Sequence, residues 1–446
     1  MMSIKTTLAK SLGRASYWAL TKFTQGGSSF PGKLAQQIDP EILSHLAENY
    51  DVAIVTGTNG KTMTTSLATK AIRAKYPHVI TNDTGSNMVQ GIISTLLTAP
   101  SVTKGKRGIA ILEVDEGSLK NVVPHVHPKF FVHTNIFEDQ LDRYGTIEDI
   151  FQKLVDAAGM APEATIISNA DCYMIQTKPL ANPKIYFGFD QAVMTPGSSA
   201  ETDGLTLPHS QDALNFTAHS YGPLGVYHNA SGDFKRPDLE MAVTSIDHSD
   251  INGSTFTING QSISIPVAGQ YNIYNALAAY TLAQAFGVDH DTIAESFQDI
   301  ERVFGRQEVI HVQDKDILMN LVKNPVGLNE VIRLVKLEDQ PFDLITLFNN
   351  NNADGTDISW IYETELDQLT DLPIEHLYHA GMVKEDLFKA FHQAGFPEEK
   401  MTLVESFDDI LTHIENSQQK QIHILASYTA TLAFRKLLLD KGYIQE

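Results

Sequence analysis

The run Val52-Ala-Ile-Val-Thr56-Gly57-Thr58-Asn59-Gly60-Lys61-Thr62 constrains this chain more than any other stretch. Apolar, β-branched residues lead into two glycines, and Met63-Thr-Thr-Ser-Leu-Ala-Thr-Lys-Ala-Ile-Arg continues with the apolar spacing of a helix. A buried strand, a glycine-rich turn and a helix in that order place backbone N–H groups around an anion at the helix N-terminus. Residues Thr56, Gly57, Thr58, Asn59, Gly60, Lys61 and Thr62 are therefore the candidate ATP-binding loop. Lys61 reaches for the terminal phosphates and Thr62 offers a hydroxyl to Mg²⁺. The spacing Gly57-x-x-Gly60-Lys61-Thr62 is one residue shorter than a full Walker A sequence, so an ordinary strand-to-helix turn is the competing reading.

Composition narrows the setting. A chain of 446 residues with 42% hydrophobic content can bury a large core and should divide into two or three domains. A net charge of −21 argues against nucleic acid as a partner, because a surface that tracks phosphates needs excess Lys and Arg. One cysteine, Cys172, excludes an internal disulfide framework and suits a reducing, cytoplasmic setting. No apolar run is long enough to span a bilayer, and no cleavage site follows the basic N-terminal residues. That segment carries Lys5, Lys10, Arg14, Lys22 and Lys33 with no acid before Asp39, and Ile4, Leu8 and Leu12 recur at helical spacing. Its expected form is a basic amphipathic helix docked on the acidic body, with a membrane-surface helix as the alternative.

Strand candidates at Ala53 to Val55, Gly108 to Val114, Phe130 to Thr134, Thr165 to Ser168 and Lys184 to Phe187 alternate with helical stretches, predicting an α/β fold with a parallel sheet. Polar residues follow the C-terminal ends of these strands, the edge where open α/β sheets bind ligands. Residues of about 196–237, rich in Gly, Ser, Asn and His, read as a strand-rich insert. A second α/β unit, Rossmann-like, follows with strands at Asp316 to Met319, Phe342 to Phe348, Ile374 to His379 and Gln421 to Ala426. The expected division is a basic segment 1–38, an ATP-binding domain 39–310 and a C-terminal domain 311–446, with the boundary near Ile310.

Further motifs follow in order: Leu112-Glu113-Val114-Asp115-Glu116; His133-Thr134-Asn135 with Asp139-Gln140-Leu-Asp142; Asn169-Ala-Asp171; Gly269-Gln-Tyr-Asn272-Ile-Tyr-Asn275; and Gly305-Arg306-Gln-Glu308. The series, over residues of about 40–310, resembles the Mur ligase superfamily, ATP-dependent enzymes that form amide bonds on peptidoglycan precursors. The resemblance implies that Glu113 holds Mg²⁺ with Thr62, with Glu116 as the second candidate. It implies that Asn272 and Asn275 line the adenine pocket and that Arg306 lies near the phosphates. Lys153 falls close to a lysine that many relatives carry carbamylated, but its spacing fits imperfectly and a surface lysine is the better reading.

Departures from the ordinary pattern are as telling. The domain that grips a uridine nucleotide in most relatives is expected to be missing, since only about fifty residues precede the loop. Gln140 replaces an expected His, and Asn320-Leu-Val-Lys323-Asn-Pro325 replaces Asp-Tyr-Ala-His-x-Pro. With Phe348-Asn-Asn-Asn-Asn-Ala-Asp354-Gly-Thr-Asp357-Ile-Ser-Trp360 and Ser427-Tyr-Thr429, these changes resemble the superfamily branch that serves as the ligase-like subunit of a lipid II isoglutaminyl synthase. That branch implies a GatD-type glutamine amidotransferase partner that releases ammonia, and a lipid II substrate at the inner face of the cell membrane. It also implies that Asp354, or failing it Asp357, orients the partner's catalytic histidine. The insert resembles a zinc ribbon whose ligand positions hold Leu207, Ser210, His228 and Ser231, so the ribbon fold is expected without zinc, even with His209 and His219 nearby. The competing functions are a stand-alone Mur or folylpolyglutamate-type amino-acid ligase and a non-catalytic ATP-binding scaffold.

Overall fold

A computed structural model describes residues 4–23, 29–82, 86–103, 105–137, 146–208, 210–300, 305 and 307–445. Three N-terminal helices, α1 (Ile4–Phe23), α2 (Phe30–Ile38) and α3 (Ile42–Ala47), precede β1 (Tyr50–Thr56) and α4 (Lys61–Lys75). Then come β2 (Val79–Thr81), α5 (Val89–Thr98), β3 (Gly108–Glu113), α6 (Leu119–Val126), β4 (Phe130–His133), β5 (Thr165–Asn169) and β6 (Lys184–Phe189). The six strands β6-β5-β4-β1-β3-β2 lie side by side and parallel. Covered on both faces, β1, β3 and β4 are apolar along most of their length, and Val52, Ala53, Ile54 and Val55 are fully buried. The helix Gln270–Ala285 is buried along most of its length against α4. Its alanines keep it thin enough to be enclosed, as expected of a helix apolar on all sides.

A module of three antiparallel strands, β7 (Thr195–Pro196), β8 (Leu214–His219) and β9 (Gly225–Asn229), occupies the predicted insert. It is fastened by an ion pair of 2.8 Å between Arg236 Nη1 and Asp171 Oδ1. Burial pushes the Asp171 carboxyl up, opposed by Arg236 and by hydrogen bonds donated from the Tyr274 hydroxyl at 2.7 Å and the Phe189 N–H at 2.7 Å. Within the module Tyr227 stacks on Phe234 and meets Phe216 and Tyr173. Leu207 packs on this core, while Ser231 donates to Asp233 and Asn229 donates to the same carboxylate. Leu207 and Ser231, two of the four positions where the resemblance puts ligands, are thus engaged in packing and in a hydrogen bond. His209 lies outside the described residues.

The strands β10 (Met241–Asp250), β11 (Gly253–Ile258) and β12 (Gln261–Ile265) extend the large sheet to nine strands. These three strands lie outside the strand candidates of the sequence. Their burial alternates along β11, and the turn Asn259-Gly260 has φ of 46° and 84°, the local signature of a two-residue hairpin. The second sheet runs β13-β14-β18-β15-β16-β17, built from Glu308–Val312, Lys315–Leu321, Gln421–Ala426, Phe342–Leu347, Ile374–Ala380 and Met401–Leu403. The β13/β14 hairpin begins this sheet at Glu308, slightly ahead of Ile310.

Helix α1 packs on α2 and α5 through Thr6, Ala9 and Gly13, whereas Ile4, Leu8 and Leu12 face outward. Close approach of helices selects small residues for the contact, so the apolar stripe is on the opposite side.

Candidate functional site

The loop after β1 is shaped by two glycines with positive φ, 129° at Gly57 and 87° at Gly60. A Cβ on Gly57 would sit 2.4 Å from Thr134 Oγ1, and one on Gly60 would sit 2.0 Å from Asn275 Oδ1. Both positions therefore need glycine for space as well as for conformation. The loop is pinned by the segment after β4. Thr58 N–H donates to the Asn135 carbonyl at 2.9 Å, Asn59 N–H to Asn135 Oδ1 at 2.8 Å, and Thr134 Oγ1 to the Asn59 carbonyl at 2.8 Å. Thr58 Oγ1 accepts from Phe137 N–H at 3.0 Å. Thr134 and Asn135 belong to one of the motifs in the sequence series but have no role assigned there, and the structure makes them the loop's scaffold.

Lys61 opens α4 with its ammonium turned back over the loop, donating to the Gly57 carbonyl and, at 3.1 Å, to Glu116 Oε1. Burial works to lower the Lys61 pKa, but Glu116, Glu113 and Asp115 outweigh it and hold it above its ordinary value. The cation thus stays charged where phosphate would lie. Glu113 ends β3, buried, with Oε1 accepting from Asn87 Nδ2 at 3.3 Å. Asn82 fixes the same strand end by a pair of hydrogen bonds with the Glu113 backbone, at 2.9 and 2.8 Å. Glu113 and Glu116 are two buried carboxylates, and Thr62 follows Lys61 at the start of α4; hard oxygen donors of this kind would suit Mg²⁺. Among the described residues no group of three or more His, Cys, Asp or Glu is arranged around one point.

Asn272 and Asn275 occupy the first turns of the helix Gln270–Ala285, directly against the loop. Asn272 Nδ2 donates to the Ala268 carbonyl at 2.8 Å, and Asn275 Nδ2 to Asn272 Oδ1 at 3.3 Å. Together with Asn59, Gly60 and Tyr271 they form one wall of a cleft. Asn320, Lys323 and Asn324 of the second unit form the other. Asn324 caps the helix Pro325–Val335, accepting from Gly327 N–H at 2.8 Å, and its amide donates to Asn59 Oδ1 at 3.3 Å. Gln307 ties the two units behind the cleft, bonding both Ala268 backbone groups and the Tyr271 hydroxyl. Neither Asn324 nor Gln307 was singled out by sequence. Arg306, with Asp139, Gln140 and Asp142, lies outside the described residues. Lys153 is half-buried on the helix Ile147–Met160.

Asp354 and Asp357 follow β15 on the far unit and are held differently. Asp354 is buried, with Oδ1 accepting from Thr429 N–H at 2.7 Å and Oδ2 from Thr429 Oγ1 at 2.6 Å and Asn351 N–H at 3.2 Å. It fixes the first turn of the helix Tyr428–Asp440. Asp357 is exposed, and its Oδ1 accepts from Ser359 N–H at 2.9 Å, which holds the carboxyl below its usual range.

Comparison with known proteins follows the same division. Residues 55–283 match the family described as the Mur ligase middle domain, and residues 321–431 match the MurT ligase C-terminal family. The chain is 40% identical to the lipid II isoglutaminyl synthase (glutamine-hydrolyzing) subunit MurT of Streptococcus pneumoniae (strain ATCC BAA-255 / R6), covering 100% of this chain and 99% of that one. It is 32% identical to the protein of the same description from Staphylococcus aureus (strain COL), over 81% of this chain and 82% of that one. Solved structures share the fold: a pseudomurein peptide ligase type C from Methanothermus fervidus has a TM-score of 0.67 at 17% identity, covering 90% of this chain and 81% of that one. MurF from Acinetobacter baumannii has a TM-score of 0.65 at 14% identity, covering 92% and 80%.

Proposed function

The chain belongs to the MurT branch of the Mur ligase superfamily, and from that premise we propose that it amidates the stem peptide of lipid II in peptidoglycan synthesis. It is an ATP-dependent ligase subunit. The reaction we assign converts the α-carboxyl of D-glutamate to the amide of D-isoglutamine, with ammonia supplied by a GatD-type glutaminase subunit. The observation that carries this reading is the buried Lys61 ammonium set over the Gly57 and Gly60 loop beside Glu116 and Glu113, in a chain that matches its relative end to end.

A carboxylate at neutral pH is a poor electrophile, so it has to be activated before ammonia can displace anything from it. In this reading the carboxylate oxygen attacks the terminal phosphorus of ATP, ADP leaves, and ammonia then adds to the acyl phosphate and expels inorganic phosphate. Lys61 and the loop N–H groups neutralise charge on the transferred phosphoryl group. Glu113 and Thr62 would hold Mg²⁺, whose chemistry here is charge neutralisation between the phosphate oxygens. Asn272 and Asn275 would face the adenine, and Arg306 the phosphates. The cleft between the units gives the acceptor a place beside the loop, with Asn320 and Lys323 where the resemblance puts Asp and His. Among the described residues no helix is long and apolar enough to cross a membrane, and we place the enzyme on the cytoplasmic side, reaching lipid II at the inner face.

The glutaminase half of the reaction needs a carboxylate that fixes the tautomer of the partner's histidine. Asp354 is our first assignment and Asp357 the second. The cap bonds orient Asp354 rigidly, as such an acid must be, and the partner's imidazole would share or displace one of them. The test is reconstitution with the glutaminase subunit, lipid II and ATP, fed with either glutamine or free ammonia. Asp354→Asn is expected to lose about 10⁴ in glutamine-dependent turnover while keeping the ammonia-dependent reaction. Selective loss in Asp357→Asn alone would transfer the role, and unchanged glutamine use in both variants would overturn the shared site. Absence of product from wild-type complex with either nitrogen source would overturn the amidation reading.

A further inference from the structure

Helix α1 turns its bulk to the outside. Its contact with α2 and α5 is made by Thr6, Ala9 and Gly13, and Thr6 Oγ1 donates to Asp39 Oδ2 at 2.7 Å. The approach is close: a Cβ on Gly13 would lie 2.7 Å from Leu97 Cδ1 and 3.3 Å from Ala35 Cβ. Arg14 Nε clamps the same contact by donating to the Leu97 carbonyl at 2.7 Å. Four large apolar residues are left on the opposite side, with Ile4 89%, Leu8 49%, Leu12 43% and Trp18 61% exposed, while Tyr17 and Leu20 on the docked side are half-buried. At 100° per residue these four fall within an arc of roughly 120°. A helix that docks through its small face and presents its large apolar face to solvent is reversed relative to an ordinary surface helix.

Charge says what covers that face. Between Ile4 and Phe23 the helix has Lys5, Lys10, Arg14 and Lys22 and no acid, in a chain whose net charge is −21. Lys5 and Lys22 project from the outward side, and the Lys22 ammonium lies 4.9 Å from the Trp18 ring centre. Long cationic side chains beside an apolar stripe can reach up to anionic headgroups while the stripe enters the acyl boundary. A tryptophan at the edge of such a stripe suits the same depth. A second copy of this chain would bring Lys5 and Lys22 against their own kind.

We propose that the outward face of α1 is a docking surface for an anionic phospholipid bilayer, lying in the headgroup region without spanning it. The proposal does not use the amidation reading, and either can fail alone. It is tested by sedimentation of the full chain with vesicles of phosphatidylglycerol and phosphatidylcholine against vesicles of phosphatidylcholine alone. Binding to the anionic vesicles only, weakened by added salt, is expected. Lys5→Gln with Lys22→Gln should weaken it roughly 30-fold at low salt, taking about fivefold per charge. Leu8→Asp with Leu12→Asp should abolish it, and both double variants should keep wild-type ATP turnover and circular dichroism. No binding of wild type to anionic vesicles, or equal binding by the lysine variant, would overturn the proposal. So would a wild-type dimer on size exclusion that Leu8→Asp with Leu12→Asp converts to monomer, which would make the stripe a protein interface.

Discussion

Glu113 and Glu116 illustrate how similar side chains three positions apart take different work. Glu116 neutralises Lys61 directly at 3.1 Å, whereas Glu113 ends its strand with Asn82 and Asn87 fixing its backbone and carboxylate. If Glu113 is the Mg²⁺ ligand, Glu113→Gln should lower kcat for ATP turnover by about 10²–10³, the scale for removing one preorganised charge from a site. It should also raise the Mg²⁺ concentration needed for half activity. Glu116→Gln removes the chief counter-charge of Lys61 and should leave the Mg²⁺ dependence close to wild type. Titrating Mg²⁺ in both variants checks this, and a larger Mg²⁺ shift in Glu116→Gln would exchange the two assignments.

At the scale of elements, β16 and the helix Lys384–Gln393 enclose a histidine that carries a pH dependence. His379 is fully buried against Phe388 and Phe391, with Nδ1 paired to Thr346 Oγ1 at 2.7 Å and Nε2 without a hydrogen-bond partner. Burial pushes its pKa down to about 3, from 6.5. Because the folded value is depressed, the unfolded chain takes up the proton first as pH falls. Stability is therefore full above 6.5 and is lost between there and 3, with a slope of up to about 1.4 kcal/mol per pH unit for one proton. His133, which burial takes down to about 4, adds to the same window. Urea unfolding followed from pH 8 to 4 should show the decline, and His379→Leu should flatten it. An unchanged slope would mean the ring is not held neutral.

The two units meet in a single charge cluster as well as at the cleft. Arg333 pairs with Glu330 of its own helix, with Glu365 at 3.1 Å and, across the boundary, with Glu201 at 3.1 Å. Burial pushes the Glu330 carboxyl up to about 7 although Arg333 and its hydrogen bond oppose this. A raised acid keeps its proton in the folded state after the unfolded chain has lost it, so this group costs stability as pH rises from 4.5 through 7. Arg333→Met leaves three carboxylates uncompensated and should destabilise by about 2 kcal/mol at pH 8. Breaking a fully buried pair costs about 3–5 kcal/mol, and the Arg333 side chain is 34% exposed. The loss should shrink below pH 7, where Glu330 is protonated in both proteins. Thermal denaturation at pH 8 and pH 6 measures it, and an equal loss at both would assign the effect to packing.

What the sequence determined by itself is local. Gly57, Gly60 and Lys61 between an apolar strand and a helix already predict the glycine turn from β1 into α4, because its geometry is written in adjacent residues. The parallel strands β1, β3, β4, β5 and β6 were legible for the same reason: strands buried on both faces are short apolar runs. The hairpin β11/β12 had a readable signal in Asn259-Gly260 that was passed over, since the flanking strands are half polar. Other features depend on which distant residues meet. Asn135 as the scaffold of the loop, Asn324 against Asn59, and Glu201 with Arg333 come from elements far apart in the chain, and no spacing encodes them. The orientation of α1 is the plainest case. Ile4, Leu8 and Leu12 mark an apolar face in sequence, but the closest packing available on α2 and α5 selected Gly13 and Ala9 instead. Periodicity reveals that a helix has two faces, and only the shape of its neighbours decides which one is buried.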